Sequence, residues 1–166
     1  TLKKVYSHLY PNLHSFDVTF PDSYEKALEV CVLEDRYGST GSRASRSAFF
    51  NAFWAKSDGN ISLYNETDLT ARPGVIRYFV KHNCIFDGRS YEHWFAYCNW
   101  FHAAPDEIKG MFGKPVEVWC KDLFEQFGPS SFIPVLRIFS KFVHAEFTHR
   151  SKKLIVVVPR TKFSSI

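Results

Sequence analysis

Apolar and polar residues alternate along much of this chain, and the two longest alternating runs flank one turn signal. From Val75 to Phe86, the residues Ile76, Tyr78, Val80, Cys84 and Phe86 fall on one face of an extended strand. Arg77, Lys81 and Asn83 fall on the other. A period of two is what a half-buried strand requires. Tyr91 to His102 is a second long, β-rich run, and Asp87-Gly88-Arg89-Ser90 joins the two. The pattern predicts an antiparallel hairpin with Asp87 and Gly88 in its turn.

Shorter elements are predicted elsewhere. Phe16 to Phe20 alternates as a short strand before the break at Pro21-Asp22-Ser23. Tyr24 to Leu33 starts as a helix and becomes extended through Val30–Leu33. Tyr37 to Ser47 is small, polar and basic, and reads as an exposed loop. Ala48 to Lys56 is a ring-rich strand, Asp58-Gly59 a turn, and Ile61 to Tyr64 a further strand. Glu107 to Met111 is predicted as one helical turn, Pro115 to Cys120 as a strand, and Lys121 to Phe127 as turn or coil. Ser131 to Phe147 reads as extended with a break at Pro134, and Lys153 to Val158 as a nearly all-aliphatic strand. The economical fold is mainly β: a single-domain β-barrel over residues 1–166, built around the long hairpin, with a few short helical turns. Its core is expected within 75–158, with 1–70 as an extension.

Composition supports strands. The chain has 166 residues with 17 Phe, 8 Tyr and 4 Trp against one Met, so rings outweigh helix formers. No apolar run approaches the roughly 20 residues of a membrane span, and Thr1 to Pro11 lacks the apolar core of a signal peptide. The formal charge of +4 and pI of about 8.9 suit a polyanionic partner without demanding one. Cys31, Cys84, Cys98 and Cys120 form no CxxC pair, so no zinc knuckle is expected, and reduced thiols in an intracellular protein are. Asn60-Ile61-Ser62 and Asn65-Glu66-Thr67 match glycosylation acceptors but carry little weight beside that expectation.

Candidate chemistry is sparse. Seven histidines and many serines allow triads on paper, yet Gly-x-Ser-x-Gly is absent. His82, His93 and His102 lie on the hairpin, and His144 and His149 near the end, without a His-Glu-x-x-His pair. No metal or cofactor is expected. The loop from Gly38 to Arg46 is the clearest binding feature. Arg43 and Arg46, with the backbone amides around Gly38 and Gly41, suit a phosphate backbone, and Phe49, Phe53 and Trp54 follow on the adjacent strand. Lys3-Lys4, Arg150, Lys152-Lys153 and Arg160 extend a basic set near both termini.

Phe95-Ala96-Tyr97-Cys98-Asn99-Trp100-Phe101-His102-Ala103-Ala104-Pro105-Asp106 resembles the central strand of bromo-adjacent homology domains. Val116-Glu117-Val118-Trp119, Phe124-Glu125 and Ser131-Phe132-Ile133-Pro134-Val135-Leu136-Arg137-Ile138 are similar to segments that follow it in that family. The likeness covers roughly residues 75 to 143. It implies a nuclear, non-catalytic β-barrel module that binds chromatin proteins. It also implies an aromatic cage for methyl-lysine at Tyr78, Trp100 and His102, with His102 where a third aromatic is usual. Gly41-Ser42-x-x-Ser45-Arg46, Arg72-Pro73-Gly74-x-Ile76-x-Tyr78-Phe79 and Gly113-Lys114-Pro115-Val116 look like uncharacterised modules of transposon-derived eukaryotic proteins. The leading expectation is a chromatin-associated binding module, its partner a chromatin protein or DNA. The alternative is a DNA-binding module that uses the basic loop, and a small hydrolase with a histidine-based site stands third.

Overall fold

The long hairpin is the frame on which the other strands assemble. The computed structural model describes residues 2–9, 18–32, 34–56, 69–124 and 131–160. Strand β6 (Leu69–Phe86) pairs antiparallel with β7 (Arg89–Ala103), with Phe86 opposite Arg89 and Gly74 opposite Trp100. The turn is Asp87–Gly88, at φ 48° and 69°. Left-handed values at both positions give the primed turn whose twist matches the strands, and Gly88 adopts its value without a Cβ clash. The predicted hairpin is therefore present with its predicted turn. β6 starts earlier than expected and runs through Pro73, which sits opposite Asn51.

Around this frame stand α1 (Leu2–Leu9), β1 (Val18–Thr19), β2 (Glu25–Ala27), β3 (Glu29–Val32), β4 (Asp35–Gly38) and β5 (Phe49–Lys56). After the hairpin come α2 (Asp106–Lys109), β8 (Glu117–Phe124), β9 (Phe132–Pro134), β10 (Ile138–His149) and β11 (Lys152–Pro159). One large antiparallel sheet runs β1-β6-β5-β10-β11-β8-β7-β9, with β2 on β6, and a separate ribbon pairs β3 with β4. The protein is mainly β, as the alternation predicted. No helix among the described residues is long and apolar enough to cross a membrane.

Local expectations fail where tertiary contacts decide. The helix expected from Tyr24 is instead β2, an edge strand that pairs Glu25, Lys26 and Ala27 with Lys81, Val80 and Phe79. Edge pairing on the hairpin overrides a weak local helical preference. Lys121 to Phe124, expected as turn or coil, continues β8. At the N-terminus the helix α1 places Leu2, Val5 and Tyr6 at i, i+3 and i+4, the spacing of a buried stripe. Val5 and Tyr6 are buried, while Lys3 and Lys4 are exposed. Phe16 and Asp17, the strand expected at Ile61–Tyr64 and both glycosylation triplets lie outside the described residues.

The main core cluster joins Phe50, Phe79, Phe95, Trp100 and Ile133 to Val5, Tyr6 and Tyr37 from the N-terminal third. Two smaller clusters lie beneath β8, β10 and β11, around Leu154 with Val118, and around Phe142 with Ile155. All four cysteines are unpaired. Cys31 is exposed and the others are buried.

Candidate nucleic-acid interface

The basic loop is built from its own hydrogen bonds. After β4 the chain turns at Ser39–Ala44 and enters a short 3-10 turn, Ser45–Ala48, that leads into β5. The Gly38 amide donates to Ser47 Oγ at 2.8 Å, and Ser47 Oγ donates to the Ala44 carbonyl at 2.7 Å. The amides of Ser42 and Ser47 donate to the carbonyls of Ser39 and Ala44, and the Ala44 amide to Ser42 Oγ. Thr40 N–H donates to the Ile76 carbonyl at 2.9 Å, tying the loop to the hairpin. Serine side chains bonding local backbone in this way make a turn that needs no regular structure.

This construction separates the expected loop residues into two groups. Arg43, Arg46 and Gly41 are exposed. Gly38 is buried and its N–H is already donated, so it does not meet a ligand. Its role is close approach: a Cβ there would lie 2.5 Å from the Ala44 carbonyl oxygen. The loop presents the Arg43 and Arg46 side chains outward, while the Gly38 amide is held inside it by Ser47.

Beside the loop lies a cleft of about 710 Å³ walled by Thr40, Ser45, Arg46 and Ser47 on one side and by Lys141, His144 and Arg160 on the other. Hairpin geometry brings the last three together. The Arg150–Ser151 turn has φ 47° and 65°, and from it the register runs outward to Phe142 opposite Pro159. One step further, the Arg160 amide donates to the Lys141 carbonyl at 3.3 Å. Lys141 Nζ sits 3.3 Å from Asp35 Oδ1 and 5.0 Å from the Tyr37 ring centroid. Burial first, and the Asp35 carboxylate second, push the Tyr37 phenol up to about 12, so Lys141 faces a neutral ring. Among the described residues neither Arg46 nor Arg160 has a carboxylate partner. The Phe49 ring forms the floor with His144, centroids 4.1 Å apart. Burial holds the His144 imidazole below its usual range, the Glu146 carboxylate opposing that shift.

Sequence reading marks Arg160 only as a terminal charge and passes over Lys141. Both are reachable by counting outward from the turn at Arg150–Ser151, which places Lys141 across from Arg160.

The three cage positions are not assembled on one surface. Trp100 is 1% exposed, with its ring 5.4 Å from that of Phe50 and the Arg72 guanidinium 6.0 Å above it. His102 is exposed beyond it on β7. Tyr78 is half-buried, stacked on Tyr97 at 4.7 Å. Trp100 therefore belongs to the core, because β7 turns that face inward.

Two of the hairpin histidines do come together. His82 and His93 face each other across β6 and β7, and the Tyr6 hydroxyl lies between them, 3.0 Å from His82 Nδ1 and 2.8 Å from His93 Nδ1. Cys84 Sγ is 3.9 Å from His93 Nδ1, but burial pushes the Cys84 thiol up, away from the thiolate a nucleophile needs. No group of three metal-ligating side chains occurs among the described residues.

No family model, curated protein or solved structure matches the chain.

Proposed function

We propose that the chain is a non-enzymatic β-barrel module that docks on a nucleic-acid backbone through its basic loop and the cleft beside it. The observation that carries this reading is the convergence of Arg46, Lys141, Arg160 and His144 on one cleft next to the exposed Arg43. Guanidinium groups without carboxylate partners among the described residues suit phosphate oxygens, and the hydroxyls of Thr40, Ser45 and Ser47 line the same space. The circuit of pairings from β6 through β5, β10, β11, β8 and β7 supports the barrel, since β7 also pairs with β6. Such a scaffold holds the loop on a rigid rim. In this reading the module works at chromatin, in the nucleus, through the DNA itself.

The test is fluorescence anisotropy with a short labelled duplex, titrated between about 50 and 200 mM salt. Affinity should fall linearly on a log–log plot, with a slope of about −0.9 for each phosphate neutralised. Arg43→Ala with Arg46→Ala, and separately Arg160→Ala, should weaken binding to unrelated sequences alike. Each arginine removed should flatten the slope by about one unit. Exposed arginines add little to stability, so thermal unfolding should be unchanged. Absence of binding at the lowest salt, or variants that bind as wild type does, would overturn the reading.

A further inference from the structure

The Tyr6–His82–His93 cluster has no part in the cleft described above, yet its hydrogen bonds are directional. The Pro21 carbonyl can only accept, and it lies 3.0 Å from His82 Nε2, so that nitrogen carries the hydrogen. In the neutral ring Nδ1 is then an acceptor, and the Tyr6 hydroxyl donates to it. The phenol oxygen is left to accept from His93 Nδ1–H. Pro21 O, His82, Tyr6 and His93 thus form one chain with a single consistent direction. Tyr6 is 1% exposed and His82 4% exposed, so these bonds lie inside the protein.

We propose that Tyr6, His82 and His93 form an acid-sensitive latch that docks helix α1 on the hairpin, and that acidification frees the helix and opens the cleft it walls. A proton on His82 Nδ1 would remove the acceptor of the Tyr6 hydroxyl and aim two N–H donors at one phenol oxygen. A proton on His93 would set a second charge directly across from His82. Among the described residues, the titratable groups that face the pair are Tyr6 on α1, Cys84 on β6 and, along the adjoining cleft, Lys3 on α1 with Asp22 and Tyr24 before β2. Lys3 repels, and Asp22 is exposed to solvent. Phe20 and Phe95 pack their rings on Tyr6 at 5.0 and 5.5 Å and contribute no counter-charge. Burial, with His82 as the lesser cause, holds the His93 imidazole below its usual range, which agrees with a neutral resting state.

Helix α1 is eight residues long. A helix this short does not persist in water without tertiary contacts, so release and unfolding of α1 are one event. The cleft that would open measures about 710 Å³, with Leu2 and Lys3 on the helix side and Tyr78, Val80, His82 and Phe132 behind.

Hydrogen exchange, corrected for intrinsic rates, tests this. Between about pH 7.5 and pH 5, where imidazoles titrate, protection of the Tyr6–Leu9 amides should fall by about tenfold or more, while Phe79 and Phe95 keep theirs. Tyr6→Phe keeps the ring and removes the hydroxyl, so its α1 amides should already be poorly protected at the higher pH. His93→Gln keeps a donor and removes one titrating group, and should move the wild-type loss to lower pH. Three results would overturn the proposal: wild-type α1 protection independent of pH, full α1 protection in Tyr6→Phe, or loss of α1 and hairpin protection at one common midpoint.

Discussion

Lys26 Nζ stands 4.4 Å from the centroid of the Tyr78 ring and 6.0 Å from that of Tyr24. The aromatic face expected to receive a partner's cation already carries one from its own chain. The contact follows from β2 pairing on β6, which sets Lys26 opposite Val80, two residues along the strand from Tyr78 and on the same face. Exposed cation–π pairs contribute about 0.5–1 kcal/mol. Lys26→Met, which keeps the stem and removes the charge, should lower stability by no more than about 1 kcal/mol in urea unfolding. It should also uncover the Tyr78 ring, so that added tetramethylammonium shifts the Tyr78 ring resonances further than in wild type. Equal shifts in both proteins would show that Lys26 does not occupy that face.

Trp100 and His102 are two residues apart on β7 and should respond oppositely to truncation. Trp100→Ala removes a buried ring from contact with Phe50 and should destabilise by about 3–5 kcal/mol. His102→Ala should stay within about 0.5 kcal/mol, since its side chain is exposed. Chemical denaturation of the pair checks this. A mild effect at Trp100 would return that residue to the surface and revive the cage reading.

Much of the hairpin was legible because one turn dipeptide and the period of two act together. The register was left open by the sequence, because a one-residue change in turn length moves every pair, and the structure sets it with His82 opposite His93. What alternation does not show is which polar residues are turned inward. His82 reads as an ordinary strand histidine until α1 supplies Tyr6, a partner 76 residues away in sequence. The helix itself was missed because eight residues give barely two turns of periodicity. Arg43 and Arg46 were legible as exposed because small polar neighbours cannot bury them. Gly38 was misread for the same reason: composition marks a loop but not which of its amides are already donated. Lys141 and Arg160 were hidden because their proximity depends on the register of the last hairpin, which shows only once its turn is located.

Gly38 and Gly41 differ by the space around them. A Cβ on Gly38 would meet the Ala44 carbonyl oxygen at 2.5 Å and Ser42 Oγ at 2.6 Å. The first of these is backbone, so the turn must open. Gly38→Ala should cost about 1–3 kcal/mol and weaken DNA binding by displacing Arg43 and Arg46. At Gly41 the nearest atom is Leu28 Cδ2 at 3.6 Å, an ordinary contact. Gly41→Ala should leave stability and binding close to wild type. Thermal melts with anisotropy on both variants test the contrast, and equal effects would show that the turn does not depend on the close approach of Gly38 to the Ala44 carbonyl.

Acidification should move stability and DNA affinity in opposite directions. His93 and His144 are both held below the usual imidazole value by burial. Below about pH 6.5 the unfolded chain therefore binds protons that the folded protein refuses. Stability is fully present above that pH and is lost as pH falls through the lowered folded values. The slope is at most about 1.4 kcal/mol per pH unit for each such proton, and smaller for these half-buried rings. At His144, however, a proton adds charge to the cleft that holds Arg46, Lys141 and Arg160, so bound phosphate favours it. Urea unfolding at stepped pH should show His93→Gln flattening the decline in stability. Anisotropy over the same range should show wild-type affinity rising on acidification, and His144→Gln abolishing that rise. Affinity that falls with stability in wild type would place His144 outside the binding surface.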